Sequence, residues 1–202
     1  MDTLDGISLT YFVDFVLKAG TPKITAVASF KNREDYSPTV DFYKQLREKI
    51  LETLKAGAKI STMETWALSV QEKKRPAYLA VISGLKTFMG KRSYKWFGLK
   101  KKTLAVGPIS LSVNPEVGLE IDGVRHVIKL YLRDEPPLVK NRAQLILHIL
   151  QRAYSGPDSE GHTFGVLDAR KGKFHASGAE PPGIDALLEG EAVAFKTMYD
   201  AV

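Results

Sequence analysis

The segment NPEVGLEIDGVRHVIKLYL, residues 114–132, contains two alternating runs of apolar and polar residues joined by Asp122-Gly123. The alternation starts upstream, since from Ile109 to Ile121 every odd position except Pro115 is a large apolar residue. This is the pattern of a strand with one buried face. Asp-Gly tolerates the positive φ angles of a type I′ turn. We therefore predict a β-hairpin with a two-residue turn.

A two-residue turn fixes which residues face each other across the hairpin. It places Glu116 opposite Lys129 and Glu120 opposite Arg125, so that both ionic pairs are cross-strand neighbours. The Glu116–Lys129 pair has two interpretations. It is either part of a functional site or an exposed ion pair that contributes less than about 1 kcal/mol.

Pro115-Glu116, followed ten residues later by Val127-Ile128-Lys129, resembles the motif of the PD-(D/E)xK nuclease superfamily. The resemblance implies metal-assisted phosphodiester hydrolysis with Mg²⁺ or Mn²⁺, in which Glu116 is a metal ligand and Lys129 activates the attacking water. The superfamily has its second acid at the position of Val127. Asp168, our candidate for the second metal ligand, and Glu48 are acids that could replace it after folding.

The resemblance covers residues 103–177. After the hairpin, the apolar pattern of KNRAQLILHILQRAY predicts a helix at 140–154, and TFGVLDARKGKFHAS, residues 163–177, predicts a second pair of strands. The resulting order of strand, strand, helix and strand suits the superfamily core and other α+β folds. We therefore predict an α+β fold in which an N-terminal helical half packs with a mixed sheet that contains the hairpin.

Residues 1–90 have mainly helical patterns, with Ser8 as an N-cap and Asp35-Tyr36-Ser37-Pro38 opening the longest helix. The segment ITAVASFK, residues 24–31, is ambiguous between strand and helix. After Pro181-Pro182-Gly183, an acidic helix is predicted at 184–200. It packs on the sheet or reaches a basic patch on a second copy, so a homo-oligomer remains an open alternative. The predicted N-terminal helices cover residues 8–20, 35–57, 61–71 and 76–89.

Composition restricts the function classes. The 202 residues suit a single domain, and the absence of cysteine excludes disulfides and thiol catalysis. No apolar run reaches the roughly 18 residues of a membrane span, and the acidic residues at the N-terminus do not suit a secretory signal. We therefore expect a cytoplasmic protein without membrane contact. The net charge of +6 favours DNA or RNA as a partner.

The positive charge is concentrated between Lys73 and Lys102, where ten Lys or Arg residues occur without an Asp or Glu. Basic side chains release counterions from a polyanion, and interleaved aromatic residues stack on bases. Alternatively, Trp96-Phe97 anchors this segment to the core and the charges are only solvated. The candidate nucleic-acid-binding residues are Lys91, Arg92, Lys95, Trp96, Lys100, Lys101 and Lys102.

Three functions follow from these patterns. The first is a nucleic-acid-binding protein that resembles a PD-(D/E)xK nuclease but has an incomplete metal site and no catalysis. The second is an active metal-dependent nuclease with a displaced second acid. The third is a non-catalytic protein-interaction domain, in which the basic segment is incidental.

Overall fold

The computed structural model describes residues 3–33 and 41–202 and shows an α+β fold with mixed sheets. The helices are α1 Leu9–Val16, α2 Thr21–Lys31, α3 Lys44–Lys55, α4 Thr62–Leu68, α5 Arg75–Met89, α6 Lys140–Tyr154 and α7 Ile184–Ala201. The strands are β1 Leu4–Ser8, β2 Tyr94–Trp96, β3 Lys102–Val106, β4 Ile109–Val113, β5 Val117–Ile121, β6 Val124–Tyr131, β7 Thr163–Asp168 and β8 Lys173–Ala176.

The larger sheet has the strand order β2-β5-β6-β7-β8. Its strands pair in antiparallel fashion except for β6 and β7, which are parallel and are connected through α6. A parallel pair requires such a crossover because the chain must return to the starting edge. The strand β2 is one edge of this sheet, and no strand of the described residues pairs with its outer side.

The predicted hairpin is confirmed in turn and register. Asp122 has φ +52° and Gly123 has φ +79°, as a type I′ turn requires. Glu120 lies opposite Arg125, and Val117 lies opposite Ile128. The local sequence therefore predicts this part of the sheet correctly.

The prediction of one continuous strand from Ile109 to Ile121 is wrong. The chain forms β4 and β5, which belong to different sheets, and residues 114–116 connect them. Pro115 has no N–H to donate to a strand partner, so it is a natural position for the break. Glu116 therefore lies in the connection, directly before the first residue of β5.

The smaller sheet has the order β1-β4-β3, with β1 parallel to β4. The sequence patterns did not predict β1, which lies in the half expected to be helical. Ile7 of β1 is fully buried and lies opposite Leu111 of β4, more than a hundred residues later in the chain. Because the partner strand is so distant in the sequence, the residues around β1 do not indicate that it is a strand.

The larger sheet is covered on both faces by apolar clusters. Val127 and Tyr131 of β6 face a cluster that includes α1, α6, α7 and the smaller sheet. Ile128 and Leu130 face a second cluster built with α3, α4 and α5. Because alternate residues of a strand point to opposite faces, Lys129 points towards the α6 side with Val127 and Tyr131.

The helices follow the predictions with local differences. Ser8 caps α1, since its Oγ accepts a hydrogen bond from the Tyr11 amide at 3.2 Å. The ambiguous segment at 24–31 lies in α2, while α6 has the predicted bounds and α4 is shorter than predicted. The predicted helix opening at residues 35–38 lies outside the described residues, and within them the helix begins at Lys44.

The acidic C-terminal helix α7 contacts its own chain. Leu188 and Phe195 are fully buried, whereas Leu187 and Val193 are about half exposed. Its acids form ion pairs with basic residues of α2, α6 and α7: Glu191 with Lys23, Asp185 and Glu189 with Arg152, and Asp200 with Lys196. No helix in the described ranges combines the length and apolar character needed to cross a bilayer.

Candidate nucleic-acid interface and the Glu116–Lys129 pair

Glu116 and Lys129 form a direct ion pair between Oε1 and Nζ, as the predicted register requires. The side chain of Glu116 is only 7% exposed and that of Lys129 is 14% exposed. The interpretation of this pair as an exposed surface contact is therefore wrong. Both charges are largely removed from water, so each depends on the other for compensation.

Other contacts of the pair fasten the β4–β5 connection to β6. The Glu116 Oε2 atom accepts a hydrogen bond from the Leu130 amide at 2.9 Å. The Lys129 Nζ atom also donates to the Asn114 carbonyl at 3.1 Å. Both oxygens of the carboxylate are thus occupied by protein donors, which leaves Glu116 poorly prepared to bind a metal ion.

Tyr154, at the end of α6, lies near the pair on the same face of the sheet. Burial, together with the negative charge of Glu116, raises the pKa of Tyr154 to about 12. Its hydroxyl donates to the Lys100 carbonyl, and its ring lies 5.9 Å from the Lys102 Nζ atom. Tyr154 therefore links the surroundings of Glu116 to the basic segment.

Asp168, the second candidate metal ligand, is not brought to Glu116. It lies at the end of β7, two strands away from β5, and accepts a hydrogen bond from the Lys171 amide at 3.2 Å. At strand spacings of about 4.8 Å and two residues of offset, the two positions are separated by roughly 12 Å. In the described part of the chain, no group of three His, Asp or Glu side chains could hold a metal ion.

Glu48 and Glu116 line the same cleft, which the sequence does not show. Both residues line a cleft of about 490 Å³ between α3, β2 and residues 114–116, which we call the Glu116 cleft. The wall from α3 also carries three cations, two of which have acidic partners. Lys44 forms an ion pair with Glu48 at 3.9 Å. Arg47 forms one with Asp41 at 2.5 Å. The charged residues that line the Glu116 cleft are Lys44, Arg47, Glu48, Lys55 and Glu116.

The basic segment, residues 91–102, is anchored to the fold by its aromatic residues. Trp96 and Phe97 pack against the apolar clusters on opposite faces of the sheet. The Phe97 amide donates to the Gly118 carbonyl at 3.1 Å, which extends the pairing of β2 with β5. The alternative assignment of Trp96-Phe97 as an anchor is confirmed.

The predicted cations of the basic segment remain at the surface. Lys95, in the middle of β2, has a side chain that is 84% exposed and only a 3.9 Å ion pair with Glu120. Lys91 and Arg92 lie before β2, and residues 100–102 lie after it, where β3 begins at Lys102. All five residues are exposed. The cations thus lie on both sides of an exposed sheet edge.

Sequence reasoning missed the contribution of α3 to this surface. The Nζ atom of Lys55 lies 5.6 Å from the centre of the Trp96 ring, although forty-one positions separate the two residues. In the sequence, α3 alternates bases with acids and so resembles an ordinary solvated helix. Only its packing against β2 shows that Lys55 adds to the charge of the basic segment.

Comparisons of the chain with models of protein families, with curated proteins and with solved structures found no match.

Proposed function

We propose that this protein binds nucleic acid with little sequence preference and does not cleave it. The observation that carries the proposal is the set of exposed cations on both sides of β2 in the basic segment, next to the exposed Lys55 of α3. Such an arrangement suits a phosphate backbone, because phosphate contacts need positive charge at fixed places but no particular base.

The state of the Glu116–Lys129 pair supports binding without catalysis. Lys129 neutralises the carboxylate, and the Leu130 amide donates to its other oxygen. Val127 is fully buried, and its side chain has no oxygen that could bind a metal ion. The side chains present therefore do not fit the two-acid metal site that the resemblance to the PD-(D/E)xK superfamily implies. The order β5, β6, α6 and β7 supports the resemblance at the level of topology only.

Replacing Lys100, Lys101 and Lys102 together by alanine should weaken nucleic-acid binding and flatten its salt dependence. Each lost phosphate contact lowers the slope of log K against log salt by roughly 1, so the slope should fall by about 2 to 3. Fluorescence anisotropy with an oligonucleotide, repeated over a salt series, measures both quantities.

A matched control removes three exposed lysines outside the basic segment, namely Lys18, Lys140 and Lys173. This variant has the same net charge as the first, so a general charge effect would lower both salt slopes equally. Equal slopes would contradict the assigned interface. No binding of either DNA or RNA at low salt would contradict nucleic-acid binding altogether and favour the protein-interaction domain.

A second candidate function, a metal-dependent nuclease, is favoured by one observation, the position of Glu48 in the same cleft as Glu116. We expect no cleavage of DNA or RNA by the purified protein with Mg²⁺ or Mn²⁺, because no complete ligand group is present among the described residues. Gel assays over a range of metal concentrations test this. Metal-dependent cleavage that is lost in both Glu116→Ala and Lys129→Ala would establish the nuclease instead, and its loss in Glu48→Ala would identify the displaced acid.

A further inference from the structure

A second cleft, of about 540 Å³, lies between the α3–α4 connection and the end of α5. Its lining includes four cations and no carboxylate, and we call it the Lys91 cleft. The charged and serine side chains that line it are Lys59, Ser61, Lys86, Lys91, Arg92 and Ser93. This concentration of positive charge without a balancing acid in the wall favours an anionic occupant.

The cations of the Lys91 cleft are not equally available. Lys86 forms an ion pair with Glu64 at 2.7 Å. Arg92 donates one guanidinium N–H to the Phe88 carbonyl, which fixes the group and leaves its other donors available. Within residues 3–33 and 41–202, neither Lys59 nor Lys91 has a carboxylate partner. The lining therefore includes two lysines that pair with no described carboxylate, together with Arg92, which also lines a neighbouring cleft beside Phe88.

The Lys91 cleft adjoins the Glu116 cleft along β2. Tyr94 lines the first and Trp96 lines the second, and these residues point to the same side of β2, roughly 7 Å apart. Lys55, the last residue of α3, lines the Glu116 cleft, and Gly57, two residues later, lines the Lys91 cleft. The two clefts are therefore neighbours on one side of β2.

We propose that the Lys91 cleft binds a terminal phosphate of a nucleotide, carried by a strand end or by a free nucleotide. Binding of a strand end rests on the proposed function, whereas binding of a free nucleotide does not. A terminal phosphate carries nearly two negative charges at neutral pH, whereas an internal phosphodiester carries one. The hydroxyls of Ser61 and Ser93 supply donors for its additional oxygen, as phosphate oxygens accept several hydrogen bonds.

The test compares short oligothymidylates with a 5′-phosphate, with a 3′-phosphate or with hydroxyls at both ends. A phosphate at one end should increase affinity by about tenfold or more, which corresponds to one good charge-assisted contact. The double substitution Lys59→Ala and Lys91→Ala should abolish this increase. The triple alanine variant at residues 100–102 should retain it, while losing affinity for all strands.

Thymidine monophosphate, compared with thymidine, tests the free nucleotide with the same variants. Selective binding of the monophosphate that is lost in the double variant supports the phosphate site, whether or not a strand binds. If no strand binds, the proposed function fails. Equal affinity for all strands, together with no preference for the monophosphate, overturns the phosphate site. Strand binding that persists in that case leaves the proposed function intact.

Discussion

Replacing Lys129 by methionine is expected to lower the free energy of unfolding by about 3 kcal/mol, because it leaves the Glu116 carboxylate buried without its cation. Methionine has a similar length and an unbranched side chain, so the packing changes little. The melting temperature should fall by roughly 6–12 °C at this chain length. Chemical denaturation of the wild type and the variant, monitored by circular dichroism, measures the free energy directly.

The double variant Glu116→Gln and Lys129→Met separates the charge effect from packing. Glutamine keeps an oxygen that can accept the Leu130 amide, and no unpaired charge remains. We therefore expect the double variant to be more stable than Lys129→Met alone, which a double-mutant cycle expresses as a coupling energy. Equal stability of the two variants would mean that the pair contributes only through packing.

Glu120→Ala provides the control for a pair in the same hairpin. Glu120 is 31% exposed, and its closest contact with Arg125 is 3.7 Å. Loss of such a contact should cost less than about 1 kcal/mol. A loss at Glu120 as large as that at Lys129 would show that hairpin charge, rather than burial, determines the effect.

What the sequence predicts correctly here is local. The Asp122-Gly123 turn and the alternation on either side of it determine the pairing of β5 with β6, because a two-residue turn permits only one register. The bounds of α6 follow from its apolar pattern in the same way. These features depend on neighbouring residues and need no knowledge of the rest of the chain.

What the sequence does not predict depends on distant contacts. The break at Pro115 has the same alternating pattern on both sides, so only the existence of two sheets shows that β4 and β5 are separate strands. The burial of Lys129 depends on α6 and the smaller sheet, which cover the face that the pattern presents as polar. Alternation distinguishes two faces of a strand, but it does not show whether the polar face reaches water.

The candidate interface also combines features that the local sequence predicts with features that depend on distant contacts. The cations of the basic segment are evident from composition, and their exposure follows from their charge. Their connection with Lys55 and Lys59 requires the packing of α3 beside β2, which no local pattern contains. Likewise, Asp168 and Glu48 are equivalent candidates in the sequence, and only the fold shows that Glu48 shares a cleft with Glu116.

Replacing Gly118 by alanine is expected to disturb both the fold and the nucleic-acid interface. A methyl group at this position would lie 2.5 Å from the Phe97 carbonyl oxygen and 2.9 Å from its ring, closer than real contacts allow. The Phe97 oxygen belongs to the backbone, so the chain itself must move. We expect a loss of about 2 kcal/mol or more in the free energy of unfolding, as overpacking of a buried site costs.

The same substitution tests whether the anchor of the basic segment contributes to binding. Displacing Phe97 breaks its hydrogen bond to Gly118, so amides near residues 94–97 should exchange hydrogen faster. A mobile segment must be ordered when it binds, which lowers affinity. We expect nucleic-acid binding several-fold weaker than in the wild type, measured under conditions where the variant remains folded.

Gly98→Ala is the matched control, because it adds the same methyl group to the same segment, one residue beyond Phe97. No atom lies within 4 Å of a Cβ at Gly98. Its stability should therefore stay within about 0.5 kcal/mol of the wild type with unchanged hydrogen exchange, and its affinity should fall less than that of Gly118→Ala. If Gly118→Ala lowers stability but leaves the affinity at the wild-type value, the lysines bind without a fixed geometry and the anchor serves the fold alone.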